Sequence, residues 1–179
     1  TIRRALIGDA IRDLTIKELE VFSATLERAL TEGACGLSTG LSFAHAQQVP
    51  YAEIKRLAQI VLRKQGFYAT HLRNEYEEIA RATNEAITLS KDLGIQTLIS
   101  HFRPFIGYEN QFEKALELVT KAYPNTPIYF ENYPYDTSIA PIYTLLPTWV
   151  KNGNLETMLD HIKTPSTRDH ILEVLPTIE

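Results

Sequence analysis

Two hydrophobic patterns alternate along most of the chain. Apolar residues recur three or four apart over long stretches, and short apolar runs bounded by glycine lie between them. Leu19, Phe22, Leu26 and Leu30 mark one face of a helix over residues 15–32. Thr15 and Glu18 have the spacing of a capping box at its start, and Gly33 ends it. Ala34-Cys35-Gly36-Leu37-Ser38-Thr39-Gly40-Leu41 has the composition of a buried strand running into a tight loop. A helix from near Pro50 to about Lys64 follows, with Ile54, Leu57, Ala58, Val61 and Leu62 facing inward and Gly66 as its stop. The spacing then predicts a strand at 67–71, a helix from about Glu75 to Asp92 closed by Gly94, a strand at 95–100, a helix from about Glu109 to Ala122, and a strand at 127–131.

Helix and strand alternating over short links predict a parallel sheet, whose strands are buried on both faces, as Thr97-Leu98-Ile99 suggests. A complete eight-stranded barrel takes roughly 250 residues. About four strands fit the 179 residues here. The expected fold is therefore α/β, either a small open domain or a partial (β/α)8 TIM-like barrel, with residues 1–136 forming the barrel segment. The rhythm breaks after that point. Pro141, Pro147, Pro165 and Pro176 are scattered through the remainder, Asn152-Gly153-Asn154 reads as a turn, and short helices are expected at 155–162 and 166–175. Residues 137–179 thus read as a helical insertion or lid lobe.

Composition narrows the function classes. A net charge of −4 offers no surface for nucleic acid or an anionic membrane. No apolar run is long enough to span a bilayer. The opening Thr1-Ile2-Arg3-Arg4 is not a signal peptide and reads as part of a longer polypeptide. A single cysteine excludes an internal disulfide, and a cytoplasmic location is expected. Cys35 has no basic neighbour in sequence to lower its pKa, so core packing is expected of it rather than ligation. The glycines at 33, 36 and 40 do not form a dinucleotide-binding fingerprint.

The candidate chemistry sits at strand ends. His71 closes one strand and His101 follows the next, 30 residues on, which is one strand–helix repeat. Neutral imidazoles presented from neighbouring parallel strands suit a zinc ion, which would polarise a carbonyl and lower the pKa of a bound water. Zinc takes three or four protein ligands, so the pair needs company. Arg73 and Arg103 each stand two residues beyond a histidine. Either can fork onto a substrate carboxylate or pair with Glu75 or another acid at the rim. Tyr133 and Tyr135 flank Pro134 beyond the fourth strand, and one of them can donate its hydroxyl to an oxyanion or pack on the apolar lobe. Glu131 is expected to be a buried or salt-bridged acid rather than a ligand. His45, His161 and His170 show no partner pattern and are expected at the surface or at local caps.

Four ordered segments carry a resemblance. Gly33-Ala34-Cys35-Gly36-Leu37-Ser38-Thr39-Gly40-Leu41, Tyr68-Ala69-Thr70-His71-Leu72-Arg73-Asn74-Glu75, Ser100-His101-Phe102-Arg103 and Tyr133-Pro134-Tyr135 resemble the D-aminoacylase (N-acyl-D-amino-acid deacylase) family of the metal-dependent amidohydrolases. The resemblance runs from near residue 1 to about residue 175. It implies a distorted (β/α)8 barrel holding zinc, with His71 and His101 among the metal ligands. It implies that Arg103, where the family usually has lysine, binds the substrate carboxylate. It also implies that a tyrosine of the Tyr-Pro-Tyr segment polarises the scissile carbonyl beneath a helical cover. The family's His-x-His pair and metal-binding cysteine fall before residue 1, and its catalytic aspartate falls beyond residue 179. Cys35 does not match that cysteine.

The expected activity of the parent is removal of the acyl group from an N-acyl-D-amino acid. The alternatives are a related dipeptidase or cyclic-amide hydrolase, a non-catalytic structural fragment that associates with itself through exposed barrel edges, and a small-molecule binding domain that uses the arginines without a metal.

Overall fold

The computed structural model describes residues 2–8, 10–132, 134, 135, 137, 139, 141–151 and 155–175. Helices α1 (Ile2–Ile7) and α2 (Ile16–Thr31) lead into the alternating part: β1 (Gly36–Gly40), α3 (Tyr51–Arg63), β2 (Phe67–His71), α4 (Ile79–Leu93), β3 (Thr97–Ile99), α5 (Glu109–Ala122) and β4 (Ile128–Phe130). The four strands are all parallel and lie side by side in chain order. Gly40 stands opposite His71, and Thr70 opposite Ile99. This register brings the C-terminal ends of the strands, and the residues just beyond them, to one rim.

The entry to α2 forms as its sequence predicts. The Thr15 hydroxyl accepts from the Glu18 backbone N–H at 3.3 Å, and the Glu18 carboxylate accepts from the Thr15 backbone N–H at 2.8 Å. Arg12 forks onto the same carboxylate at 2.7 and 2.8 Å. Those bonds first, and the ones from Thr15 second, push the Glu18 carboxyl down to about 2. A lowered carboxyl pKa stabilises the fold above the ordinary value of 4.5, and that contribution is lost as pH falls towards about 2. Thr15→Ala is expected to cost about 1 kcal/mol. In urea unfolding this should lower the midpoint and leave the slope unchanged.

Two helix boundaries differ in cause or place from the sequence reading. Gln65, not Gly66, takes the left-handed turn after α3, with φ of 57°. Gly66 is needed for close approach instead, since a Cβ there would lie 2.8 Å from the Cys35 carbonyl oxygen. Helix α4 begins at Ile79 rather than near Glu75, because the Asn74 side-chain oxygen accepts from the backbone N–H groups of Tyr76 and Glu78 at 2.8 and 3.0 Å. Residues 75–78 are thereby held as a turn at the rim.

Phe22, Leu26 and Leu30 of α2 and Ile54, Leu57, Ala58 and Val61 of α3 pack with Tyr68 of β2 in one core. Leu62, expected on the inner face of α3, is exposed, and Ile60 is buried instead. A second core joins Ile79, Ala82 and Ala86 of α4, Ile99 of β3, Phe102 of the loop after it, Ala115 and Val119 of α5, and Ile128 of β4. Side chains alternate along a strand. Tyr68 and Thr70 are buried on the helix-covered side, and Phe67, Ala69 and His71 therefore face the other side of the sheet. In the middle of the sheet Thr97 and Ile99 are buried on one face and Leu98 is only partly buried on the other, so the expectation of strands buried on both faces is met on one face alone, and it fails further at the margins. Strand β1 is only partly buried, and Tyr129 and Phe130 of β4 are exposed, because each of these strands has one neighbour among the described residues. Cys35 is exposed, contrary to the expected core packing, since it precedes this marginal strand.

Beyond β4 come a short 3₁₀ turn at Ile142–Leu145 and helices α6 (Thr148–Lys151), α7 (Leu155–Lys163) and α8 (Pro165–Val174). They have a small core of their own in Val150, Met158 and Ile171. The expected turn at 152–154 and Pro176 lie outside the described residues. No helix among the described residues is long and apolar enough to cross a membrane.

Candidate metal and substrate site

His71 is the last residue of β2, and its backbone carbonyl accepts from the Leu41 N–H at 3.3 Å. A buried hydroxyl chain lies beneath it. The Tyr68 hydroxyl lies 2.6 Å from the Thr39 hydroxyl, Thr39 donates to Thr70 at 2.9 Å, and Thr70 donates to the His71 carbonyl at 2.8 Å. Burial raises the Tyr68 pKa, so its hydroxyl stays protonated within the chain of bonds. The strand end that carries His71 is thus tied to both β1 and its own interior face.

His101 sits two residues past β3 with φ of 40°, the left-handed region in which a side chain is strained. The strain is held by neighbours. The His101 backbone N–H donates to the Glu131 carboxylate at 2.8 Å, and the Phe102 N–H donates to the Glu131 carbonyl at 2.9 Å. Glu131 therefore anchors the turn through backbone N–H groups; it is exposed and in no ion pair among the described residues, unlike the buried or salt-bridged acid expected.

The turn aims the two imidazoles at each other. His101 Nε2 and His71 Nδ1 are in hydrogen-bond contact, and the ring centroids are 4.1 Å apart at 66°. The other nitrogen of His101, Nδ1, lies 3.1 Å from Glu75 Oε1. That contact and the nearby charge raise the His101 pKa. Burial first, and the neighbouring His101 second, lower that of His71. The shifts run in opposite directions, so an added proton favours His101, beside the Glu75 carboxylate, over His71. One donor atom from each of His71, Glu75 and His101 can be chosen so that all lie within 4.8 Å of one another. Imidazole nitrogens and a carboxylate oxygen are the donor types that zinc takes, so the residues fit the expected ion. In the sequence Glu75 is legible as the start of a helix and as a possible partner for an arginine, not as the neighbour of His101. Asn74, which stops α4 from starting early, is what turns Glu75 towards His101.

Arg103 and Tyr135 line the same cavity as the two histidines, a space of about 470 Å³ that also includes Glu75, Thr144 and Lys151. The Arg103 guanidinium lies over the Phe105 ring, 4.8 Å from its centroid. Tyr135 is exposed at the mouth, and Tyr133 lies outside the described residues. Arg73 also borders the cavity, but its guanidinium donates to Glu85 at 2.7 and 2.9 Å, to the Val49 carbonyl at 3.1 Å and to the Gln47 carbonyl. Of its two expected roles, pairing with an acid describes this geometry, and the acid is Glu85. His45 stacks on Phe43, whose ring centroid also lies 5.9 Å from that of His71, and His161 and His170 flank Trp149 in the lobe.

The four parallel strands in chain order, with the paired imidazoles at their C-terminal rim, have the architecture of a partial TIM-like barrel of the amidohydrolase kind. The chain is 30% identical over 137 residues to a D-aminoacylase and 31% identical over 138 residues to an N-acyl-D-aspartate deacylase, both from Alcaligenes xylosoxydans xylosoxydans. Each alignment covers 75% of this chain and 28% of the relative, so the chain spans little more than a quarter of the length of these proteins. A crystal structure of D-aminoacylase, described as defining a novel subset of amidohydrolases, superposes with a TM-score of 0.70 at 31% identity over 75% of this chain and 29% of that one. N-acyl-D-glutamate deacylase from Bordetella bronchiseptica, complexed with zinc and a phosphonate inhibitor, superposes with a TM-score of 0.69 at 25% identity over 75% of this chain and 29% of that one. No family model matches the chain. In sequence and in fold, over three quarters of its length, the chain is a relative of the D-aminoacylase and N-acyl-D-amino-acid deacylase family.

Proposed function

We propose that this chain is the central, metal- and substrate-holding part of a zinc-dependent amidohydrolase that removes the acyl group from N-acyl-D-amino acids. The observation that carries the reading is the facing pair of nitrogens, His71 Nδ1 and His101 Nε2, at the C-terminal rim of adjacent parallel strands. When bound there, zinc would supply polarisation of the acyl carbonyl and a water of lowered pKa. His71 and His101 would hold it.

The other residues have separable tasks. Glu75 keeps the proton on His101 Nδ1 and leaves Nε2 free to ligate. Arg103 binds the substrate carboxylate from the cavity wall. Tyr135, or Tyr133 beside it, donates its hydroxyl to the oxygen of the acyl carbonyl as charge builds there. Arg73 positions rather than binds, because its clamp on Glu85 and the 47–49 backbone fixes the segment between β2 and α4. Residues 1–136 form the barrel segment, and 137–179 cover the cavity as a lid. Lid residues Ile139, Pro141, Thr144 and Lys151 line it beside the histidines. A cytoplasmic location belongs to the same proposal.

The test is release of free amine from N-acetyl-D-amino acids by the full-length polypeptide that contains this segment, loaded with zinc. The expected result is hydrolysis of the D series, little of the L series, and loss of turnover on His101→Ala. Cleavage of dipeptides or cyclic amides in preference to N-acyl-D-amino acids would replace the proposal with that alternative. A second reading is favoured by the exposed Phe67, Tyr129 and Phe130 on the sheet. Taken alone, the chain would associate with itself through the exposed barrel edges as a non-catalytic unit. A compact monomer over a wide concentration range in analytical ultracentrifugation would contradict that.

A further inference from the structure

We infer that Phe105 is a positioning residue for Arg103, and that its ring, braced by Tyr76, holds the guanidinium ready for the substrate carboxylate. The inference rests on the proposed deacylase reading of the same cavity. Arg103 and Phe105 stand two residues apart on the loop between β3 and α5, and both line the cavity beside His71 and His101. The central carbon of the Arg103 guanidinium lies 4.8 Å from the centroid of the Phe105 ring. Such a contact draws on the charge of the cation and the face of the ring, and leaves the N–H donors for a carboxylate. The Tyr76 ring packs against Phe105 at 4.8 Å and 45°, and against Tyr108 at 5.5 Å and 66°.

Hydrogen bonds fix the frame of these rings. The Phe105 carbonyl accepts from the Tyr108 N–H at 2.9 Å, closing a turn in which Gly107 takes a φ of 84°. The Tyr108 hydroxyl donates to Glu77 at 3.1 Å, and the Tyr76 N–H donates to the Asn74 side chain at 2.8 Å. The loop after β3 is thus fastened to the turn at 75–78, the same turn that presents Glu75 to His101. None of the three rings belongs to the cores of the described residues, where Phe102 and Phe112 supply the aromatic packing of this region. Tyr76 and Phe105 line the cavity instead. A long side chain loses rotamer freedom when it takes hold of a ligand, and a ring that already holds it reduces that loss.

The experiment is calorimetric binding of two probes to the zinc-loaded full-length polypeptide that contains this segment. One is N-methanesulfonyl-D-leucine, whose sulfonamide is not cleaved, and the other is its carboxamide, which lacks the carboxylate. The wild type should bind the acid more tightly than the amide. Phe105→Leu should weaken the acid by about three- to tenfold, the cost of immobilising one long side chain. It should leave amide affinity and zinc content unchanged, and Phe105→Tyr should keep the wild-type values. In an Arg103→Met background, Phe105→Leu should have no further effect on the acid. With N-acetyl-D-leucine as substrate, Phe105→Leu should raise KM and leave kcat unchanged, because the carboxylate is held alike in the ground and transition states. No loss in Phe105→Leu, an equal loss for acid and amide, or a loss that persists undiminished in Arg103→Met would overturn this inference and leave the deacylase reading standing. Failure of the wild type to bind either probe would overturn both. Circular dichroism of each variant separates loss of positioning from loss of the fold, and Phe105→Met, which keeps an apolar side chain without the ring, gives the same test if Phe105→Leu unfolds.

Discussion

Replacing His71 and His101 together with alanine is expected to abolish tight zinc binding, with a loss of affinity beyond about a hundredfold, because even partners that only orient a ligand cost 10–100-fold when removed. The two ring nitrogens already face each other at the rim, and no backbone rearrangement is needed to bring them together. The single replacements should be unequal in their effect on the fold. His71 stands at the end of a strand tied into the Thr39–Tyr68–Thr70 chain, whereas His101 occupies a left-handed turn. Alanine at 101 keeps the strained φ and gives up the Glu75 contact, so His101→Ala should be the less stable of the two. Competition with a chromophoric chelator measures the affinity, and thermal unfolding of the metal-free proteins measures the stability difference.

The second large effect is expected at Glu75. Glu75→Ala removes the acceptor at His101 Nδ1 and should weaken zinc binding by roughly 10–100-fold. Glu75→Gln keeps an oxygen in place while removing the charge, and should fall between that variant and the wild type. A readout on the metal-free protein is independent of affinity. Because the Glu75 contact is the foremost cause of the raised His101 pKa, its removal should lower the His101 midpoint in an NMR titration. The proton must leave before a metal can bind, so zinc uptake by the wild type should weaken as pH falls through that raised midpoint. If Glu75→Ala left both the His101 midpoint and the zinc affinity unchanged, the orienting role would be wrong.

Much of the fold is legible in the sequence because local signals and tertiary packing agree. The Thr15–Glu18 box, the Phe22-Leu26-Leu30 stripe, and the placing of β2 and α5 all follow from residues a few positions apart. The differences arise where long-range neighbours decide. Cys35 and the strand after it have a buried composition but lie at a margin of the sheet. Leu62 and Ile60 exchange places because the inner face of α3 is set by what it packs against. At the site, strand spacing was enough to pair His71 with His101. It was not enough to pick out Glu75, whose position depends on the Asn74 turn, or to decide between the two readings of Arg73, whose partner Glu85 is twelve residues away on α4. Lys151 carries no motif at all, and the fold alone brings it from the lobe to the same cavity.

The most direct measurement is anomalous diffraction at the zinc edge from crystals of this chain grown with zinc. The expected result is one strong peak bounded by His71 Nδ1 and His101 Nε2, with the Glu75 carboxylate still on His101 Nδ1 or turned to the ion. A zinc peak elsewhere, or none while the two imidazoles remain bonded to each other, would contradict the assignment of this rim as a metal centre.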